Sequence, residues 1–141
     1  MSRIIKRLSL AGLIVGSVLI MGCGADTSGL STVTVSELAG WIKQDSSVVV
    51  CDANGEDTRE RYGVIPGALL LSNHKDYDVA GELPQERDRK LVFYCSSEAC
   101  SAAPMAARKA VAGGFTDVYV LPAGIKGWVK GEQPVQKPQA G

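Results

Sequence analysis

Two cysteines five positions apart, Cys95 and Cys100, bracket the segment Cys-Ser-Ser-Glu-Ala-Cys, and no other part of the chain concentrates as much nucleophilic chemistry. The reactive form of cysteine is the thiolate, so the question is what surrounds each sulfur. Cys95 follows Leu91-Val-Phe-Tyr94, four apolar or aromatic residues that read as a buried strand with Phe93 and Tyr94 in the core. After Ser96, Ser97, Glu98 and Ala99 comes a small-residue helix with Pro104 in its first turn, where a missing N–H costs nothing. Cys95 is therefore expected at a strand's carboxyl end, facing loop amides and the positive end of a helix dipole, both of which favour a thiolate. The alternative is a cysteine that merely caps a core strand, because free cysteine is among the most buried residue types. A second thiol so close by weighs against that alternative.

The elements that must position this loop alternate along the chain. Val33–Val35 reads as a short edge strand and Ser36 as the cap of a helix, Glu37 to Gln44, with Leu38, Trp41 and Ile42 on one core-facing stripe. Val48–Cys51 is a continuous apolar strand of the kind found in a sheet covered on both sides, which makes Cys51 a core residue. A polar connection with a helical turn near Arg59–Tyr62, a short strand within Ile65–Leu71 and a weak helix at Val79–Leu83 lead to the Leu91–Tyr94 strand. The helix from Ala102 to Ala112 stops at Gly113-Gly114; Thr116–Leu121 is the last strand, and Gly124–Lys130 a closing helical turn around Trp128. This alternation implies an α/β domain with a mostly parallel sheet. Strand ends in such a sheet converge on one crevice, so Asp52, with Arg59, is a candidate support for Cys95; a capping or salt-bridging role is the favoured alternative. His74 reads as a solvated loop residue.

The N-terminus looks like a processing segment. Arg3, Lys6 and Arg7 precede an apolar stretch of 13 residues, Leu8–Ile20. That is short of the roughly 20 that span a bilayer. It runs into Leu19-Ile-Met-Gly22-Cys23, which resembles the bacterial lipobox, Met21 being bulkier than usual. An ordinary secretory signal without lipidation is the alternative. The expected organisation is a lipoprotein signal peptide at 1–22, lipid attachment at Cys23 with a tether to residue 31, one domain over 32–131 and a flexible tail at 132–141. The location implied is the bacterial envelope, with Gly24, rather than an Asp, favouring the outer membrane facing the periplasm. The 15 Lys+Arg and 15 Asp+Glu balance, and loss of the three leading cations leaves a net charge of −3. With no basic run, nucleic-acid binding has no electrostatic footprint. Setting Cys23 aside leaves Cys51, Cys95 and Cys100, an odd count, so either one disulfide and a free thiol or three maintained thiols. A single histidine and no C-x-x-C argue against a metal site, and no cofactor is expected.

Four landmarks in order resemble a rhodanese-like domain over nearly the whole body. They are the strand ending in Asp52 followed by Arg59-Glu60, Gly63-Val-Ile-Pro-Gly-Ala68, the strand into Cys95 with its loop, and Leu121-Pro-Ala-Gly-Ile-Lys-Gly-Trp128. The resemblance implies a mostly parallel five-stranded sheet with helices on both faces. It implies sulfur transfer through a persulfide on Cys95, cradled by amides of Ser96, Ser97, Glu98, Ala99, Cys100 and Ser101. The partners implied are a small sulfur donor and a thiol or protein acceptor. Members acting on thiosulfate often carry a cation in this loop, commonly where Cys100 stands, whereas this loop has Glu98 and no cation. A dianionic donor would be repelled, and phosphatase activity, which goes with longer loops ending in Arg, is weaker still. Ala123 stands where the family usually has glycine. Cys100 raises two further roles, resolving a Cys95 persulfide or cycling with Cys95 as a dithiol and disulfide; a packed structural residue is its alternative. A catalytically silent, lipid-tethered module that binds an envelope protein is the remaining reading.

Overall fold

The computed structural model describes residues 24–45 and 47–139. The predicted signal segment and Cys23 lie outside these. In chain order the elements are β1 (Ser31–Thr32), α1 (Val35–Gln44), β2 (Val49–Asp52), α2 (Glu56–Tyr62) and β3 (Leu69–Leu70). They continue with α3 (Val79–Glu82), β4 (Leu91–Tyr94), α4 (Ala102–Ala112), β5 (Val118–Leu121) and α5 (Gly124–Lys130). The five strands form one sheet in the order β1-β5-β4-β2-β3, and every pair is parallel. Asp52 stands opposite Tyr94, and Tyr94 opposite Leu121, so the carboxyl ends of β2, β4 and β5 finish level.

Every residue of the central strand β4 is fully buried, as its unbroken apolar run requires. Side chains alternate across the sheet. Leu91, Phe93 and Cys95 enter one core with Ala103, Ala106, Ala107 and Ala110 of α4. Val92 and Tyr94 enter the other, with Leu38 of α1 and Ile125 and Trp128 of α5. The alanines of α4 repeat at helical spacing and carry almost no side chain, which lets the helix lie close to β4 and β5. Helix α4 ends as the Gly113-Gly114 pair leads one to expect. Gly114 takes φ +97°, and the N–H groups of Phe115 and Gly114 reach the carbonyls of Ala110 and Val111 at 3.1 and 3.0 Å.

At the first helix the structure departs from expectation. Its cap is Thr34, not Ser36, and the edge strand is Ser31–Thr32 rather than Val33–Val35. Thr34 Oγ1 accepts from the Glu37 N–H at 3.3 Å while the Glu37 carboxylate accepts from the Thr34 N–H at 2.9 Å. This reciprocal pair satisfies two donors that Ser36 would leave open, and Val33 and Leu38 pack together beneath it. The segment after α5, expected to be loose, is tied back by an antiparallel bridge between Val64 and Gln136 and by Trp128 Nε1 donating to the Pro134 carbonyl at 2.8 Å.

Candidate active site

Cys95 is the first residue past β4, on the face that α4 covers. Two elements hold its backbone. The N–H groups of Ile125 and Lys126, in the first turn of α5, donate to the carbonyls of Cys95 and Ser96 at 2.8 and 3.1 Å. This close approach needs Gly124: a Cβ there would sit 2.6 Å from the Cys95 carbonyl oxygen, and its φ is +60°. Ala123, in contrast, has φ −59°, which alanine adopts without strain.

The sulfur of Cys95 donates to the Cys100 carbonyl at 3.2 Å. N–H groups of Ala103 and Ser96 point at Cys95, and those of Ser96 and Ala102 at Cys100. Ala102 and Ala103 open α4, so the helix end does face the two thiols as its sequence implies. The consequence for Cys95 is the reverse of the acidified, open thiol expected. Only 3% exposed, it is pushed up to about 12, first by burial and then by Cys100, against the pull of the Ala103 and Ser96 amides. Loss of water around the sulfur outweighs two amide dipoles. Cys100 is half-buried and goes the other way: burial raises it, but the S–H of Cys95 and the amides of Ser96 and Ala102 together bring it below the ordinary thiol value. Of the two thiols Cys100 is the more acidic, and it lines the same cavity as Cys95.

Both sulfurs open onto a cavity of about 140 Å³. Its walls are Ser97 and Glu98 of the loop, Ala103 and Pro104 of α4, Val120, Leu121 and Pro122 around the end of β5, and Gly24, Ala25 and Thr27. Among the described residues, the one charged lining residue is Glu98. Ala99 and Ser101 do not line the cavity; Ser101 is the residue before α4. Arg61 and Lys126 share a second cavity of about 320 Å³ with Ser96, apart from both cysteines. All three described cysteines are free thiols, and Cys51 is fully buried core whose thiol burial pushes up.

Asp52 and Arg59 do not line the Cys95 cavity. Asp52 is fully buried and accepts from the Tyr94 hydroxyl, from the Asn54 N–H at 2.7 Å and from Arg59 Nε at 3.3 Å. Arg59 Nη2 also donates to the carbonyls of Asp52 and Leu71, and Tyr94 Oη accepts from the Ile65 N–H at 3.1 Å. These groups lock the ends of β2, β3 and β4 together, and Asp52 and Arg59 form the ion pair that was the favoured alternative to a role beside Cys95. Tyr94, read as plain strand core, is the hub of this network; the polar end of a tyrosine placed opposite an aspartate was the available signal. Half-buried His74 lines neither the Cys95 cavity nor the Ser96 cavity. Gly24, Ala25 and Thr27 carry no motif, and nothing in their residue types marks them as cavity walls.

Several solved structures share this architecture. A protein of unknown function from Rhodopseudomonas palustris, described as a possible tyrosine phosphatase, is 26% identical with a TM-score of 0.63, covering 77% of this chain and 86% of that one. The polysulfide-sulfur transferase homodimer of Wolinella succinogenes has a TM-score of 0.66 at 13% identity, over 78% of this chain and 80% of that one. The thiosulfate sulfurtransferase of Pseudomonas aeruginosa has a TM-score of 0.65 at 18% identity, over 78% of this chain and 21% of that one. These last two likenesses are of fold. No curated protein sequence is significantly similar. The rhodanese-like domain family matches residues 34–131, a span that holds the whole parallel sheet except β1 and both loop cysteines, and the chain belongs to that family.

Proposed function

We propose that this rhodanese-like protein carries sulfane sulfur as a persulfide on Cys95, with Cys100 as proton acceptor and resolving thiol, in the bacterial envelope. The observation that carries the reading is the thiol pair itself, two sulfurs in one small cavity with the opening amides of α4 directed at both. When ionised, Cys100 is the acceptor for the Cys95 proton; the transfer moves the charge onto Cys95, where the Ala103 and Ser96 amides meet it. The Cys95 thiolate then attacks the terminal sulfur of a donor R–S–SH. A new sulfur–sulfur bond forms, the donor's breaks, and its electron pair leaves on RS⁻. An acceptor thiolate takes the outer sulfur by the same exchange and regenerates Cys95. Where Cys100 attacks instead, having passed its proton to the departing RS⁻, it forms the Cys95–Cys100 disulfide and expels HS⁻, and a dithiol reductant of the envelope, itself oxidised to a disulfide, returns both thiols.

The missing loop cation and the presence of Glu98 argue against thiosulfate as donor, and against a phosphate ester as substrate, since neither would find a guanidinium partner. Residues 1–23, which resemble a lipoprotein leader, support the envelope assignment, a lipid on Cys23 being the membrane contact; the outer membrane is favoured.

The test is intact-protein mass spectrometry after incubation with inorganic polysulfide. The expected gain is about 32 Da, one sulfur, lost on reduction. Cys95→Ser abolishes it, whereas Cys100→Ser forms the adduct more slowly and then retains it. No adduct with any of several sulfane donors, or an adduct that survives Cys95→Ser, rejects the reading. The contact between the two thiols favours one other reading, a dithiol/disulfide redox cycle without persulfide. It predicts a reducible Cys95–Cys100 disulfide and full loss of turnover in Cys100→Ser.

A further inference from the structure

Residues 24–30, which precede β1, do not trail away from the domain. From the sheet edge it turns back over the carboxyl ends of the strands and lies against the active-site loop. The Ala25 N–H donates to the Glu98 carbonyl at 2.6 Å. On α4, Arg108 grips the same segment from the other side. Its Nη1 donates to the Ser28 carbonyl at 2.8 Å and its Nη2 to the Asp26 carbonyl at 3.1 Å, with the Asp26 carboxylate 3.5 Å away. Within the segment, the Ser28 N–H bonds the Asp26 carboxylate at 2.9 Å, and the Leu30 N–H bonds the Thr27 carbonyl at 3.0 Å. Leu30 packs on the core that contains Cys95. Gly24, Ala25 and Thr27 thereby become the fourth wall of the thiol cavity.

We propose that residues 24–28, latched by Arg108, are a specificity-determining strap of the sulfur site, admitting the slim apolar end of an alkyl hydropersulfide or organic polysulfide and holding off bulkier donors. The inference rests on the reading of Cys95 and Cys100 as the sulfur-handling pair. Beside Gly24 and Thr27, the walls other than the loop are the apolar Ala25, Ala103, Pro104, Val120, Leu121 and Pro122, with no cation among them. A space of about 140 Å³ is close to the size that holds one benzene ring, enough for a short chain of sulfur and carbon atoms and less than a two-ring aromatic disulfide fills. The contacts that hold residues 24–28 are hydrogen bonds and an exposed ion pair, with Leu30 beyond them as the apolar anchor, so the wall opens at modest cost, while the parallel sheet beneath it does not. Arg108 is a positioning residue: it touches the strap and not the cavity.

Thiol-reagent kinetics on the full-length protein test this, with peptide mapping of Cys95 and Cys100. The probes are methyl methanethiosulfonate, which is small, and N-phenylmaleimide, which is bulky and also uncharged. In Arg108→Ala, the bulky reagent is expected to react about tenfold faster, and the small one less than about twofold, because only the opening equilibrium has changed. Ala25→Pro, which removes the N–H bonded to Glu98, should reproduce the split from the other end of the strap. With sulfur donors, Arg108→Ala gains on a dibenzyl trisulfide but not on thiosulfate, because Glu98 remains. Equal acceleration of both reagents, or of neither, overturns the strap, as does an equal gain on thiosulfate. The reagent rates do not depend on persulfide formation. A chain that takes no sulfur from any donor yet shows the split loses the sulfur reading and keeps the strap; one that takes sulfur without the split loses the strap alone.

Discussion

At the scale of single residues, two thiols in one cavity have been driven apart in acidity, by burial at one and by hydrogen bonds at the other. Cys95 is almost wholly buried and pushed up to about 12, while half-buried Cys100 is drawn below the ordinary thiol value by the S–H of Cys95 and the amides of Ser96 and Ala102. Iodoacetamide reacts with thiolates, so labelling at graded pH should modify Cys100 first and Cys95 only at more alkaline pH, with Cys51 unmodified in the folded protein. Peptide mass mapping reads the order, and labelling of Cys95 ahead of Cys100 would contradict the assignment. The same shifts set a stability trend. Unfolded thiols ionise near about 8.5, whereas native Cys95 and Cys51 keep their protons well above that. Their contribution is therefore present in full below pH ~8.5 and falls as pH rises towards about 12.

At the scale of elements, the active-site loop is held from behind by α5 and from in front by α4. The α5 grip depends on a glycine, since Gly124 has φ +60° and backbone of the loop within 2.7 Å of where a Cβ would stand. Gly124→Ala is expected to cost about 1–3 kcal/mol in a denaturant titration and to impair persulfide formation, because the carbonyls of Cys95 and Ser96 lose their donors. Gly40 of α1 gives the opposite control. A Cβ there meets no atom within 4 Å, and it lies inside a helix, so Gly40→Ala should gain about 0.5–1 kcal/mol with the chemistry unchanged. If both substitutions destabilise alike, the local argument for Gly124 fails. The alanine stripe of α4 belongs to the same logic: small side chains bring a helix end near enough for its amides to reach two sulfurs.

At the scale of the whole molecule, the strap begins at Gly24, directly after the proposed lipid-bearing residue Cys23. Lipidation there would set the wall of the thiol cavity next to the membrane surface. The proposal has a direct check: cells fed a labelled fatty acid should yield labelled protein in the membrane pellet, and Cys23→Ser should be unlabelled and soluble. An unlabelled wild-type chain in the soluble fraction would reject the anchor and leave the domain chemistry standing. Much of the architecture was legible beforehand because strand and helix signals in this chain are local. Leu91–Tyr94, Ala102–Ala112 and Gly124–Lys130 stand where apolar runs, small-residue periodicity and glycine stops put them. The first helix was misplaced by one cap because Ser36 and Thr34 are equally good cap residues by type, and the choice fell to Glu37 and to the packing of Val33 on Leu38.

The amino-acid order alone determined the succession of elements, the parallel α/β class and the placement of Cys95 at a strand end before a helix, since each follows from residues close together in the chain. Which thiol is the more acidic, why Asp52 bonds to Tyr94 rather than serving the cavity, and how Arg108 pins residues 24–28 over the loop were decided only by tertiary structure. The reason is physical: a thiol's acidity depends on the water it keeps, and a hydrogen bond depends on where its partner lies. Residues 80 positions apart, Ser28 and Arg108, meet only once the sheet has closed.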